Sequence, residues 1–198
     1  MEIKGNIYQC IIQKIREGGI GVLPTDTIYG IVGSALLPNT IERVYVVRKR
    51  RLHKPFIILL DDIKSLRHFN VRITESERRF LKTVWPGEIS VILPCPYKKY
   101  EYVHRGTKTL AFRIPNPKWL RSLIGKTGPL VAPSANFEGF IPAATITEAK
   151  KYFGKTVDFY VSAGRRLQGE PSTVVTLQNG KVIVLRQGTI KVKNNTDL

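Results

Sequence analysis

Cysteine, histidine and acid are scarce in this sequence. Its 198 residues include two cysteines, Cys10 and Cys95, with no C-x-x-C spacing. That excludes a disulfide scaffold and reads as two reduced thiols buried in a core. Three histidines, His53, His68 and His104, are too scattered for ligand spacing, so no metal site built from protein side chains is expected. No apolar run approaches the roughly 20 residues that cross a bilayer. No basic segment followed by an apolar one opens the chain, so the reading is a cytoplasmic protein with no membrane contact. The nucleotide and hydrolase signatures G-x-x-x-x-G-K-(S/T), G-x-S-x-G and a strand-borne G-x-G-x-x-G are missing too. Nucleotide chemistry here would have to hold phosphates with side-chain cations, hydroxyls and turn amides.

What is abundant is positive charge. There are 32 Lys and Arg against 15 Asp and Glu, a formal net charge of +17. Such a surface attracts polyanions, with RNA and nucleotides the first candidates. The excess begins after residue 40 and is densest at Arg48, Lys49, Arg50, Arg51 and Lys54, so it is not a basic tail. With 42% hydrophobic residues the chain can bury a core of single-domain size. The expected domain is residues 1–190, with a polar, frayed tail at 191–198.

The pattern along the chain alternates between helical and extended signals. Residues 7–17 place Ile7, Ile11 and Ile15 at helical spacing, and Gly18-Gly19 ends that helix. Residues 20–23 read as a strand closed by Pro24. Asn39 reads as the N-cap of a helix burying Ile41, Val44, Tyr45 and Val47. Residues 56–60 are continuously apolar, as in a strand covered on both faces. Thr74-x-x-Glu77 is a capping box for a helix with Phe80, Leu81 and Val84, stopped by Trp85-Pro86-Gly87. Strands are expected at 89–93, 109–114, 130–132, 159–161, 173–177 and 182–185, and helices at 117–124 and 147–153. Helices interleaved with strands throughout imply an α/β sheet domain.

Four segments offer groups for binding. Pro24-Thr25-Asp26-Thr27-Ile28-Tyr29-Gly30 is a hydroxyl-rich turn leaving a strand. Arg48 to Lys54 gathers cations between a helix end and a strand, where they also suit the helix dipole. Ala132-Pro133-Ser134-Ala135-Asn136 follows a buried strand, at the kind of strand end where α/β ligands bind. Pro171-Ser172-Thr173 precedes a strand and Arg186-Gln187-Gly188 ends another. Arg113 stands alone in an apolar strand, where Leu110, Phe112 and Ile114 share one face and Ala111 and Arg113 the other. A buried guanidinium needs an anion, either a substrate carboxylate or an acid distant in sequence.

In this order and spacing the segments resemble the YrdC/TsaC family. The shared pattern runs Pro-Thr-Asp-Thr-x-Tyr-Gly, the cation cluster, Trp-Pro-Gly, Phe-Arg-Ile-Pro, Ser-Ala-Asn, Ser-Thr-Val and Arg-x-Gly, over residues 24–188. The resemblance implies one YrdC-like α/β domain, a twisted mixed sheet with flanking helices around a concave basic cavity. It implies L-threonylcarbamoyladenylate synthase activity, a nucleotidyltransferase reaction of threonine, bicarbonate and ATP with Mg2+ assisting. By the same resemblance the product would serve tRNA modification next to the anticodon, through a separate transferase complex of the TsaD, TsaB and TsaE type. Carried over residue by residue, Thr27 and Ser172 would hold threonine and Arg113 its carboxylate. Arg48, Arg50, Lys54, Thr109, Ala132, Ser134, Asn136 and Arg186 would line the ATP site. Catalysis would rest on positioning and charge neutralisation, led by Arg50 and Arg113, with no protein nucleophile.

The sequence departs from the family at several of these places. The lysine of its Lys-x-Arg pair is Arg48 here and the following proline is Arg51, so a register using Lys49 and Arg50 is also open. Leu59 stands where many relatives have histidine, and Pro142 where a hydroxyl is common. Two rival readings use the same residues: a YrdC-like module that binds tRNA or double-stranded RNA without ATP chemistry, and a paralogue without synthase activity, such as the domain used in hydrogenase maturation.

Overall fold

One sheet, covered unequally on its two faces, organises the chain. The computed structural model describes residues 5–49, 55–164, 167 and 169–197. The first half contains α1 (Gly5–Arg16), β1 (Gly21–Pro24), β2 (Tyr29–Ser34), α2 (Pro38–Val47), β3 (Ile57–Leu59), a 3-10 helix (Ile63–Phe69), α3 (Glu75–Val84) and β4 (Ile89–Pro94). The second half contains a short 3-10 turn (Lys98–Tyr100), α4 (Glu101–His104), β5 (Thr109–Arg113), α5 (Lys118–Thr127), β6 (Leu130–Val131), α6 (Ile146–Phe153), β7 (Phe159–Tyr160), β8 (Thr173–Gln178), β9 (Lys181–Arg186) and β10 (Thr196–Asp197). The strands form a single sheet in the order β10-β9-β8-β4-β5-β3-β6-β2-β1-β7. It is mixed: β3 and β5, β4 and β8, and β1 and β7 run parallel, and the other pairs antiparallel.

Alternation along the strands separates two apolar layers. Val22, Ile31, Ile58, Val91, Phe112 and Val175 point into the larger cluster, with Tyr45, Phe56, Phe69 and Trp85. Leu23, Val32, Leu59 and Leu130 point the other way, into a smaller cluster with Ile11, Ile12 and Ile15 of α1 and Leu120, Leu123 and Ile124 of α5. Helices α1 and α5 thus cover the β1-β2-β6-β3 end of that second face. Leu59, at the position of a family histidine, is fully buried in this layer. The expected strand covered on both faces is β3, with Ile58 in one cluster and Leu59 in the other.

Most expected elements are present, and the differences have local causes. The capping box of α3 forms, with Thr74 Oγ1 accepting from Glu77 N–H at 3.2 Å and Glu77 Oε2 accepting from Thr74 N–H at 2.7 Å. The N-cap of α2 is Leu37 and not Asn39, because Pro38 occupies the first turn with its φ already helical. Helix α1 buries Ile11, Ile12 and Ile15, while Ile7 is 68% exposed. Cys10 lies on its outer side and is exposed, so only Cys95 is a core thiol. Burial pushes the Cys95 thiol up to about 11, against the opposing pull of the Tyr97 backbone and Lys99. The tail does not simply fray: Thr196 and Asp197 pair with β9, and Asn194 Oδ1 accepts from Val184 N–H at 2.9 Å.

Sequence patterning misses strand β2, because Gly30 and Gly33 interrupt its strand signal, and it also places no element at the 3-10 helix 63–69, the 3-10 turn 98–100, α4 or β10. Gly33 is there for close packing. A Cβ on it would fall 2.5 Å from Thr40 Cγ2 and 2.9 Å from Ile20 Cγ2. That contact seats α2 on the sheet, and α2 delivers Arg48 at its C-cap. Gly33→Ala is therefore expected to lower stability by about 1–3 kcal/mol through overpacking. Denaturant unfolding checks this, and an unchanged midpoint would mean the α2 contact is soft.

Candidate active site

Beyond the reach of α1 and α5, the second face of the sheet is open. Ile57 of β3, Thr109, Ala111 and Arg113 of β5, Ile92 of β4 and Val174 of β8 form the floor of a cavity of about 370 Å³. This is the face that strand alternation assigned to Ala111 and Arg113. Its walls come from the turn at 25–30, the C-cap of α2, residues 132–134, Pro171-Ser172 and Arg186. Thr27, Arg48, Thr109, Arg113, Ala132, Ser134, Ser172 and Arg186, all singled out from sequence, line this one space. Among the described residues the lining has three arginines and no carboxylate, so the cavity is concave and basic. Arg50 and Lys54 lie outside the described residues.

Each polar wall residue is fixed by another behind it. Arg48 is 2% exposed, and its Nε donates to Asn136 O at 3.1 Å. Its Nη2 donates to Asn136 Oδ1 at 3.2 Å and to Ser134 Oγ at 3.3 Å. Asn136 therefore stands behind Arg48 and does not line the cavity. Its Nδ2 is engaged by Phe137 O and Phe140 O, at 2.7 Å each. Lys49 sits 4.5 Å over the Phe137 ring, which leaves Arg48 as the cation of this pair that faces the cavity.

The hydroxyls are held in the same manner. Thr25 Oγ1 accepts from Thr27 N–H at 3.2 Å and donates to Ile28 O at 2.7 Å, closing the turn and placing Thr27 Oγ1 3.1 Å away. Ser172 Oγ and Ser90 Oγ are hydrogen-bonded at 2.9 Å, and Arg186 Nη2 donates to Ser172 O at 2.8 Å. Ser90 is fully buried on β4 and has no separate sequence signal. Gly188 lets this corner close: a Cβ there would lie 1.9 Å from Pro171 O.

The anion that Arg113 requires is present, and it is Asp26. The two side chains are 4% and 5% exposed, and Arg113 Nη1 donates to Asp26 Oδ1. The second carboxylate oxygen, Oδ2, accepts from Asn116 N–H at 3.0 Å. Asp26 lies 87 positions from Arg113, so no local pattern could pair them. Arg113 still faces the cavity, and its buried Nε–H has no partner among the described residues. A planar fork with one arm anchored and donors left over can receive a further acceptor.

Fold and site together define an α/β protein with a basic, hydroxyl-lined cleft on one face of a mixed sheet. The chain belongs to the Sua5/YciO/YrdC family, described as telomere recombination, which matches residues 13–188. It is 26% identical over 192 residues to a putative threonylcarbamoyl-AMP synthase of Methanocaldococcus jannaschii, covering 97% of this chain and 90% of that one. It superposes on the structure of Pyrococcus abyssi Sua5 complexed with L-threonine with a TM-score of 0.87 at 27% identity. That match covers 95% of this chain and 56% of the P. abyssi protein, so the chain spans about half its length. Escherichia coli YciO shares the fold, with a TM-score of 0.85 at 24% identity over 98% of this chain and 95% of that one.

Removing one member of a buried ion pair strands the other in low dielectric. Asp26→Ala should cost about 3–5 kcal/mol of stability, whereas Asp26→Leu with Arg113→Met should recover most of it. Denaturant melts of both variants test this. A single variant as stable as the parent would show that Arg113 does not depend on Asp26.

Proposed function

We propose that this chain is a threonylcarbamoyl-AMP synthase, converting threonine, bicarbonate and ATP to threonylcarbamoyl-AMP, pyrophosphate and water. The observation that carries this reading is the convergence of Arg48, Arg113 and Arg186 with the hydroxyls of Thr27, Thr109, Ser134 and Ser172 in one cavity whose lining, among the described residues, has no carboxylate. It is supported by relatives bearing that name and by a threonine complex of the same fold. In this reaction the threonine amine takes up bicarbonate as a carbamate, with loss of water. A carbamate oxygen then forms a bond to the α-phosphorus as the bond to pyrophosphate breaks. The protein's task is to neutralise charge and align the ends.

The residues divide accordingly. Arg113, steadied by Asp26, takes the threonine carboxylate, while Thr27 and Ser172 hold its polar groups. Arg48 and Arg186 face the phosphates, and Thr109, Ser134 and the Ala132 backbone border the nucleotide; the resemblance also assigns Arg50 and Lys54, outside the described residues, to phosphate neutralisation. Among the described residues no His, Cys, Asp or Glu cluster could hold a metal ion, and the lining offers hydroxyls but no carboxylate. Mg2+ would arrive with ATP and would add charge neutralisation beside Arg48 and Arg186. The adenylate would pass to a transferase complex that modifies tRNA in the cytoplasm. Among the described residues no helix is long and apolar enough to cross a membrane.

Substrate choice tests the assignment. A cavity that hydrogen-bonds the threonine hydroxyl leaves its own groups unpaired around valine, so discrimination of about 10⁴-fold is attainable. Pyrophosphate release with bicarbonate and ATP should require threonine and should not be supported by valine. Equal release with valine, or release without any amino acid, would sink the reading and leave the paralogue or RNA-binding alternative.

A further inference from the structure

A second recess lies outside the catalytic cavity and shares none of its residues. The 3-10 helix Ile63–Phe69 has three residues per turn, so positions three apart eclipse. Lys64 and Arg67 therefore form a row of cations, and Ile63 and Leu66 an apolar row beside it. The chain turns at Asn70, left-handed at φ 54°, and returns through Val71, Arg72 and Ile73 to the start of α3. Between these segments is a groove of about 540 Å³. Leu66 and Val71 form its buried base, with Ile63 and Ile73 half-buried above them.

The rim is uncompensated. Lys64, Arg67 and Arg72 are exposed and form no ion pair among the described residues. Acids nearby are committed elsewhere. Asp61 accepts from Ser65 Oγ at 2.6 Å, Asp62 caps Lys64 N–H at 2.7 Å, and Glu77 belongs to the capping box. Among the described residues only Glu75 approaches a rim cation, Arg78, at 3.6 Å with both side chains exposed. Such a pair is worth little.

We propose that this groove docks an acidic, amphipathic segment of a partner protein, with aliphatic side chains on the floor and carboxylates against Lys64, Arg67 and Arg72. Charge complementarity specifies the sign of the partner. The aliphatic floor favours a peptide over nucleic acid: RNA phosphates would engage the rim but leave the floor uncovered, and among the described residues the lining offers no aromatic face for base stacking. A groove of this size suits a weak, short contact.

The test is an amide chemical-shift titration of the labelled full chain with a short synthetic peptide of glutamate and leucine. Controls are the same peptide with serine for leucine, and a short RNA duplex. Shifts should concentrate at residues 63–78 and be weaker with the serine peptide. Affinity should fall at least about tenfold in Lys64→Glu with Arg67→Glu, since like charges then meet across the contact. Pyrophosphate release should be unchanged in that variant, and Arg72→Glu alone provides a second, milder test of the rim. No shifts at millimolar peptide would overturn the proposal. So would an equal response to the serine peptide, or the RNA duplex moving the same amides at lower concentration. The peptide readout does not depend on synthase activity, so its failure and that of the catalytic reading are separable.

Discussion

A guanidinium cannot be buried in an apolar strand without an anion, and the site is organised around that constraint. Arg113 satisfies it with Asp26, which also accepts from the backbone N–H of Asn116. One carboxylate thereby ties the turn after β1 to the end of β5 and the chain that follows it. The cavity then contains no uncompensated charge at this point, while the guanidinium keeps donors to spare. The same contact that stabilises the fold aims Arg113 into the cavity. A substitution at Arg113 alone would mix both effects.

Elsewhere the cavity repeats this arrangement with neutral groups. Asn136 holds Arg48, Ser90 holds Ser172, and Thr25 holds the turn that presents Thr27. The sheet makes these supports possible. Its strands β8, β4 and β5 pack one face into the larger core and leave the other open, because α1 and α5 cover only the β1-β2-β6-β3 end. A rigid floor with polar walls suits a reaction that needs alignment and charge neutralisation more than a protein nucleophile.

Much of this was legible in the residues, for physical reasons. Continuous apolar runs and the Thr74/Glu77 box are local signals, and β3, β4, β5, β8, β9 and α3 follow them closely. The alternation around Arg113 correctly set it on a different face from Leu110 and Phe112. What escaped was non-local. Asp26 carries no sequence mark linking it to Arg113, and Ser90 looks like any strand serine until Ser172 is brought beside it. Glycines that serve packing, Gly33 above all, disguised β2 as part of a turn. Asn136 has the side chain of a ligand-binding residue, but its hydrogen bonds are made to the protein. The groove at Lys64 and Arg67 was likewise hidden, because charge counts do not say which cations have partners.

The central claim is that this cavity joins carbamoylated threonine to the α-phosphate of ATP. Mass analysis of the adenylate formed from threonine, ATP and isotopically labelled bicarbonate tests it most directly. The account predicts one labelled carbon in an adenylate that also contains threonine. An unlabelled threonyl-adenylate, or no adenylate at all, would contradict it.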